Sequence, residues 1–198
     1  MIRRVNENDG GGDTDSRIPN IDSRLTAPRW IITCYTCELL ALAIWVGGLV
    51  MIIAAVIPAV FNSFGMEPGG RFLTRVFDGY NRLVLVSAGM LIMSAVLRTT
   101  MSRRAAVMEA ALSRTESAVL VTMIMVAALV IFVLEPSSVR LQEQAFAIKD
   151  EAGRKTAYEA FFKSHHVVRG LYVVNLGLAI ALVPIKLKHW LTSRKVVS

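Results

Sequence analysis

The chain has 198 residues, of which 54% are hydrophobic, and its mean hydropathy of +0.51 excludes an ordinary soluble domain. Its net charge of +7 could suggest a nucleic-acid-binding protein, but the Lys and Arg residues flank apolar runs without interleaved aromatic residues. Nucleic acid is therefore not an expected partner. Two cysteines are too few for a disulfide framework.

A polar segment precedes the first apolar run. Residues 1–28 are rich in Gly, Asp, Asn and Arg, a composition that buries too little apolar surface to order itself. No apolar stretch follows directly on the charged start, so the segment does not resemble a cleaved signal peptide. We expect 1–28 to be a disordered cytoplasmic tail and 29–198 to be a transmembrane domain.

Four apolar runs follow, at Leu39–Phe61, Leu83–Leu97, Ala118–Leu134 and Leu171–Ile185. The first contains no charge and, at 1.5 Å per helical residue, reaches roughly 34 Å, enough to cross the hydrocarbon core of a bilayer. The other three are shorter and gain length from flanking residues that snorkel. Four such runs in a short chain predict four transmembrane helices, at about 36–61, 79–100, 117–135 and 167–189.

The segment 135–166, between the third and fourth runs, is too long for a plain turn. Apolar residues recur in it at helical spacing with charges between them, which predicts an amphipathic helix over the outer end of the bundle. We expect Gly153 to interrupt this helix. The predicted fold class is an all-α integral membrane protein, a four-transmembrane-helix bundle with an extra amphipathic helix before the last span.

The distribution of basic residues predicts the orientation. Four spans place both termini on one side of the membrane, and the segments on that side hold 13 Lys and Arg residues against 8 on the other. This excess predicts that both termini are cytoplasmic, in a bacterial-type inner membrane.

The chain also contains a weak internal sequence repeat. The first span ends at Pro58 and is followed by a Gly-Arg step at Gly70, and the third span ends at Pro136 and is followed by a Gly-Arg step at Gly153. Two related hairpins would explain this pattern and would form a pseudo-symmetric bundle. Chance similarity is the alternative.

Glu38 is the only carboxylate next to the long apolar run. An ionisable group inside a membrane is a functional candidate by default, but at the edge of a span its side chain can also reach the lipid headgroups. Both alternatives stay open here. Glu38 shares a helical stripe with Trp45 and Gly48, which we expect to face the bundle. Gly47, four residues after Ala43, would let a partner helix approach closely.

Two further polar features lie in the spans. Asp78 and Arg82 are four residues apart and predict a helix ion pair, which either holds the outer end together or lines its entrance. Asn175 in the last span predicts an interhelical hydrogen bond. The candidates for bundle packing or for a pathway are Glu38, Trp45, Gly47, Gly48, Pro58, Asp78, Arg82 and Asn175.

Metal and cofactor signals are weak. His165 and His166 could line a cation site at the outer end of the last span, with a polar cap as the alternative. Cys34 and Cys37 have the spacing of a metal or redox pair, but no second pair completes a tetrahedral site. His189 lies on the same span as the other histidines and cannot face them across a haem. We expect no cofactor, with copper as the alternative because of the two histidines and nine methionines.

Several short motifs carry a resemblance. The stretches Trp45-Val-Gly-Gly48, Pro58-Ala-Val-Phe61, Gly70-Arg-Phe72 and Val76-Phe-Asp-Gly-Tyr80 resemble the uncharacterised four-helix membrane family that includes transmembrane protein 205 (domain of unknown function 4149-like). The Trp and Gly-Gly step is also similar, more distantly, to the copper-resistance D membrane domain. The first family has no agreed activity, so the resemblance implies a four-helix membrane fold. The second implies copper handling.

These observations leave three functional hypotheses. The first is a non-enzymatic membrane protein, because packing residues are plentiful and no catalytic motif is evident. It would be an accessory or assembly subunit of a larger membrane complex, or an uncharacterised permease. Its partners would be the lipid bilayer and other membrane subunits or a second copy. The second hypothesis is a copper transport or handling protein, and the third is a haem- or quinone-linked subunit.

Overall fold

The computed structural model describes residues 29–105, 112–148 and 150–195. Within these residues the chain is helical and contains no strand, and four of its helices are long and apolar enough to cross a membrane. The all-α membrane fold predicted from the sequence is therefore confirmed. The predicted tail, 1–28, lies outside the described residues.

The first two spans form hairpin 1. Its elements are α1 (Arg29–Met51), a π-helical segment (Ile52–Val56), α2 (Ile57–Phe64) and α3 (Met66–Ala105). Gly65 separates α2 from α3 with a φ of 73°, in the left-handed region that glycine adopts without a steric penalty. The chain therefore turns sharply at a glycine, the residue that adopts this backbone conformation most easily.

The last two spans form hairpin 2. Its elements are α4 (Arg114–Leu129), a π-helical segment (Val130–Leu134), α5 (Glu135–Ala147) and α6 (Glu151–Lys195). The extra helix before the last span is thus α5, which follows directly on the third span. Residues 151–166 are the first part of α6 and continue into the fourth span without a break.

The interruption expected at Gly153 is wrong by a few residues. The break lies at 148–150, and Gly153 sits in the first turn of α6. The Asp150 carboxylate accepts a hydrogen bond from the Gly153 backbone N–H at 2.8 Å, so it caps the new helix. The capping aspartate, and not the glycine, therefore sets the boundary.

Both π-helical segments are followed by a proline. Pro58 and Pro136 each stand two residues after the end of a π segment, at the start of the next helix. Proline has no N–H to donate and its ring clashes with the preceding turn of an α-helix. The extra residue of a π turn accommodates this interruption while the helix continues through the membrane.

The four spans pack with their apolar interior faces together. Helix α1 packs against α3 and α6, and α4 packs against α6. We call the end of the bundle where α1 begins and α6 ends the termini end, and the opposite end, with Gly65 and the α5–α6 break, the loop end. The largest fully buried apolar side chains are Leu42, Trp45, Leu49, Leu91, Met123 and Leu182.

Candidate functional site

Four charged side chains, one from each membrane-spanning helix, meet inside the bundle towards the termini end. They are Glu38 of α1, Arg98 of α3, Glu116 of α4 and Lys186 of α6, which we call the charged cluster. None is more than 1% exposed. Since two carboxylates face one guanidinium and one ammonium group, the cluster is formally neutral.

Each hairpin contributes one carboxylate and one cation that contact each other. In hairpin 1, Arg98 Nη1 lies 2.9 Å from Glu38 Oε2. In hairpin 2, Lys186 Nζ lies 2.7 Å from Glu116 Oε1. Each hairpin therefore carries a pair that is neutral by itself.

Two more contacts join the hairpins. Lys186 Nζ lies 2.7 Å from Glu38 Oε2, and Arg98 Nη1 lies 2.9 Å from Glu116 Oε1. Each carboxylate thus contacts both cations, and the four side chains form a closed ring of ion pairs. Glu116 Oε2 has no hydrogen-bond partner among the described residues.

Tyr35 holds Arg98 in place, and a separate hydrogen bond nearby joins α3 to α1. Its Nη2 donates to the Tyr35 hydroxyl at 2.9 Å, and its guanidinium lies 4.2 Å from the centroid of the Tyr35 ring. One turn earlier on α3, the Ser94 hydroxyl donates to the Cys34 carbonyl oxygen at 3.1 Å and fixes α3 against α1. The guanidinium is thereby oriented by both a hydrogen bond and a cation–π contact.

The first turn of α4 directs Glu116 inwards. Ser113 caps this helix by accepting a hydrogen bond from the Glu116 backbone N–H at 3.1 Å. A Ser-x-x-Glu sequence at a helix start is typical of a capping box, in which the glutamate reaches back to the capping residue. Here the Glu116 carboxylate instead contacts Arg98 and Lys186. The local motif explains the helix start but not the direction of the side chain.

A second polar cluster lies between the charged cluster and the loop end. The Asn81 amide donates to the Glu135 carboxylate, and the Tyr172 hydroxyl donates to Asn81 Oδ1 at 3.0 Å. The Tyr80 hydroxyl donates to the Trp45 carbonyl oxygen at 2.9 Å. These contacts join α3 to the start of α5, to α6 and to α1. Polar groups therefore link the helices at two levels.

Two buried polar side chains lie on the stretches of α3 and α6 between these clusters. Ser87 is 1% exposed and Asn175 is 4% exposed. Ser87 Oγ and Asn175 Oδ1 have no hydrogen-bond partner in the described part of the chain. The interhelical hydrogen bond predicted for Asn175 is therefore not seen at its carbonyl oxygen.

The charged cluster reveals the internal repeat clearly. Glu116 follows Glu38 by 78 residues, the same spacing that separates Pro136 from Pro58 and the second π segment from the first. Residues at this spacing are buried in matching pairs along α1 and α4 and at the start of the π segments that follow them. The pairs are Leu42 and Leu120, Trp45 and Met123, Leu49 and Ala127, and Ile52 and Val130.

The second helix of each hairpin repeats with a longer spacing. Lys186 follows Arg98 by 88 residues, and Asn175 follows Ser87 by the same 88. Further buried pairs at this spacing are Tyr80 and Val168, Leu91 and Ala179, and Ser94 and Leu182. The ten additional residues lie between the two helices of hairpin 2, where α5 is longer than α2. These pairs support the two related hairpins that the sequence pattern predicted.

The structure distinguishes between the alternatives for Glu38. Its side chain is buried among Arg98 and Lys186 and does not reach the surface of the bundle. The other three members of the cluster were not predicted as site residues, because Arg98, Glu116 and Lys186 stand just beyond the ends of the apolar runs, where charged residues ordinarily reach the lipid headgroups. The equal spacing of the two glutamates and of the two prolines is the signal that could have found Glu116.

The glycine and tryptophan candidates on α1 have different surroundings. Trp45 is buried in the core. A Cβ atom at Gly48 would lie 2.9 Å from Tyr80 Cε2, so the glycine permits the close approach of Tyr80. Gly47 is exposed, and no described atom would lie within 4 Å of a Cβ atom there. Within the described residues, Gly48 therefore has a packing role that Gly47 lacks.

The remaining pathway candidates lie on the outside. Arg82 Nη2 lies 2.9 Å from Asp78 Oδ2, which confirms the predicted ion pair. Both side chains are mostly exposed, so this pair does not line the interior. Pro58 is also exposed and belongs to the helix break described above.

The histidines lie apart from the charged cluster. The His165 ring stacks on Phe161 with a centroid distance of 5.4 Å, and His166 Nδ1 donates to the Phe162 carbonyl oxygen at 2.6 Å. Across the described residues, no group of three or more His, Cys, Asp and Glu side chains could hold a metal ion. The side chain of His189 lies outside the described part of the structure.

Among the comparisons with known proteins, one family model matches the chain. No curated protein and no solved structure matches the chain. The model of one family, "Domain of unknown function (DUF4149)", matches residues 40–147, which is more than half of the chain and includes Glu116 and both π segments. The matched residues cover the second and third membrane-spanning helices and part of the first, with Arg98 and Glu116 of the charged cluster, and the chain belongs to the DUF4149 family.

Proposed function

We propose that this protein is a membrane permease. A small hydrophilic solute crosses the bilayer between the two hairpins, and the charged cluster is the gate at the termini end. The observation that carries this proposal is that ionisable side chains from all four spanning helices meet inside the bundle. Charged groups within a membrane protein are costly and commonly mark a solute or ion pathway.

The geometry of the cluster suits a gate. If the hairpins separate at the termini end, the contacts of Lys186 with Glu38 and of Arg98 with Glu116 break. The pairs Glu38–Arg98 and Glu116–Lys186 stay together, because each belongs to one hairpin. No unpaired charge is left on either side, so opening avoids the large cost of an isolated buried ion. Transporters built from two repeats move largely by rocking one repeat against the other.

Polar groups continue inwards from the gate. Along α3 the buried polar residues between the gate and the loop end include Ser87 and Asn81, and along α6 they include Asn175. Tyr172 and Asn81 then form the polar cluster nearer the loop end. Because these groups lie on buried faces and not on lipid-facing ones, they favour a pathway through the bundle over a docking surface for another subunit.

Two features of the sequence complete the proposal. The excess of Lys and Arg in the segments at the termini end, which include the connection between α3 and α4, supports a cytoplasmic position for that end, so the gate faces the cytoplasm. The distant likeness to the copper-resistance D membrane domain supports including Cu⁺ among the solutes that are tested. No observation on the described residues favours an assembly role or copper transport over a permease for a small solute.

Transport by purified protein in liposomes tests the proposal. We expect glycerol, urea or protons to enter wild-type proteoliposomes faster than protein-free liposomes, measured by light scattering or by an internal pH dye. An Ala179→Leu variant should reduce this rate, because Ala179 is fully buried between Asn175 and Lys186. Its neighbour Ile180 is 52% exposed, so Ile180→Leu is the matched control and should have no effect.

The same experiment can contradict the proposal. Folded wild-type protein that transports none of these solutes, nor Cu⁺, faster than protein-free liposomes would exclude a permease. Transport of Cu⁺ alone would replace the proposal with the metal-transport hypothesis.

A further inference from the structure

Ser87 and Asn175 occupy equivalent places in the two hairpins. Each stands eleven residues before the cation of its own hairpin, Arg98 or Lys186, on a helix that is continuous between the two positions. Helices α3 and α6 run in the same direction and their cations meet at the same carboxylates. The two polar side chains therefore lie at a similar depth, about 16 Å along each helix from the cation's backbone.

Neither polar atom is satisfied where it stands. Ser87 Oγ and Asn175 Oδ1 lack a hydrogen-bond partner among the described residues, and the surrounding atoms leave them inaccessible to water. Buried polar groups in proteins are normally hydrogen-bonded, and an unsatisfied one calls for an explanation. Two such groups at equivalent positions behind one gate point to a common role.

We infer that Ser87 and Asn175 bind the transported solute inside the bundle, and that this solute is a small uncharged molecule with hydrogen-bond donors. An amide oxygen requires a donor, and a hydroxyl accepts or donates. The buried neighbours one turn away, Val84, Leu91 and Ala179, are uncharged, so none of these neighbours offsets the charge of an ion. The inference rests on the proposed function, because the solute reaches this site only when the hairpins part.

The test compares three variants of the full-length protein in liposomes, with glycerol and urea as probes. Ser87→Ala and Asn175→Leu should each lower permeability by about three- to tenfold, the effect of losing one hydrogen bond to the solute. Ser94→Ala is the matched control, because it removes a buried hydroxyl from the same face of α3 that already donates to the Cys34 carbonyl. It should leave permeability unchanged.

Thermal melting of the same variants gives a second readout. Ser94→Ala should lower the Tm, because a hydrogen bond between α1 and α3 is lost. Ser87→Ala should leave the Tm unchanged or raise it, because the wild-type hydroxyl is unsatisfied. A purely structural role for Ser87 predicts the reverse order of Tm values.

The outcomes separate the site from the permease. Wild-type permeability that Ser87→Ala and Asn175→Leu leave unchanged would overturn the site and leave the permease intact. Permeability lost in all three variants alike would also overturn it, because Ser94 would then matter as much as Ser87. An absence of wild-type permeability to both probes, with protons or Cu⁺ still transported, would show that the solute is an ion and would overturn the inferred ligand class.

Discussion

Replacing Lys186 with methionine is expected to lower the stability of the bundle by about 3–5 kcal/mol, the usual cost of removing one partner from a buried ion pair. Lys186 contacts both Glu38 and Glu116 at 2.7 Å. Without it, two buried carboxylates share the single guanidinium of Arg98. Equilibrium unfolding of the purified protein in detergent micelles, with increasing denaturant, measures the loss.

A second substitution should recover much of this loss. Adding Glu116→Gln to Lys186→Met leaves Glu38 and Arg98 as one neutral pair, so the double variant should be clearly more stable than the single one. Arg82→Met is the surface control, because its ion pair with Asp78 is exposed and worth at most about 1 kcal/mol. A Lys186→Met variant as stable as this control would contradict the burial of the cluster. A double variant no more stable than Lys186→Met would contradict the role of charge balance.

Exchanging the two charges within one hairpin is expected to open the gate. In a Glu116→Lys/Lys186→Glu variant, hairpin 2 keeps a neutral internal pair and the net charge of the protein is unchanged. Both contacts between the hairpins become repulsive, because Glu38 then faces a carboxylate and Arg98 faces an ammonium group. Like-charge contacts at an interface cost several kcal/mol, so solute permeability should rise by about tenfold or more.

Exchanging the charges in both hairpins should close the gate again. Adding Glu38→Arg and Arg98→Glu makes every contact of the ring attractive again, so permeability should return towards the wild-type value. The exchange in hairpin 1 alone should behave like the exchange in hairpin 2 alone. Liposome permeability to glycerol and urea measures all four proteins. Equal permeability in all of them would show that the cluster fastens the helices without gating a pathway.

The sequence predicted the helices well because hydropathy is a local property. A single apolar segment such as Leu39–Phe61 has to form a helix in lipid, because only a helix lets every backbone N–H and C=O group of the segment find a hydrogen-bond partner within it. The helices extend beyond the runs, and α6 spans 45 residues because polar ends outside the hydrocarbon layer can continue a helix. Helix ends depend on single capping groups, which is why the break fell at Asp150 and not at Gly153.

Hydropathy could not predict which charged residues form the cluster. Arg98 and Lys186 follow apolar runs directly, which is also where residues that set membrane orientation stand. Whether such a cation turns inwards depends on a carboxylate from a distant part of the chain, and Glu38 and Lys186 are 148 residues apart. The repeat offered the missing information, since a buried Glu38 in one hairpin implies a buried Glu116 in the other.

The unsatisfied hydrogen-bonding atoms of Ser87 and Asn175 could not be predicted from the sequence pattern either. Asn175 stood out as a polar residue in an apolar span, but its missing partner depends on how α6 packs. Ser87 did not stand out, because serine is common in membrane helices and often bonds to its own backbone. Only the packed bundle shows that the two share a depth and a lack of partners.

The distance between the hairpins at the gate tests the central claim most directly. Spin labels at Leu40→Cys and Ala118→Cys would report it, because both positions are exposed and each lies two residues beyond a cluster glutamate; Cys34 and Cys37 would first be changed to serine. Labels at Leu40→Cys and Leu97→Cys, both within hairpin 1, are the control. We predict that the Glu116→Lys/Lys186→Glu exchange lengthens the distance between hairpins and leaves the distance within hairpin 1 unchanged. Two unchanged distances, or two that broaden together, would contradict the claim that the hairpins are separate bodies joined by the charged cluster.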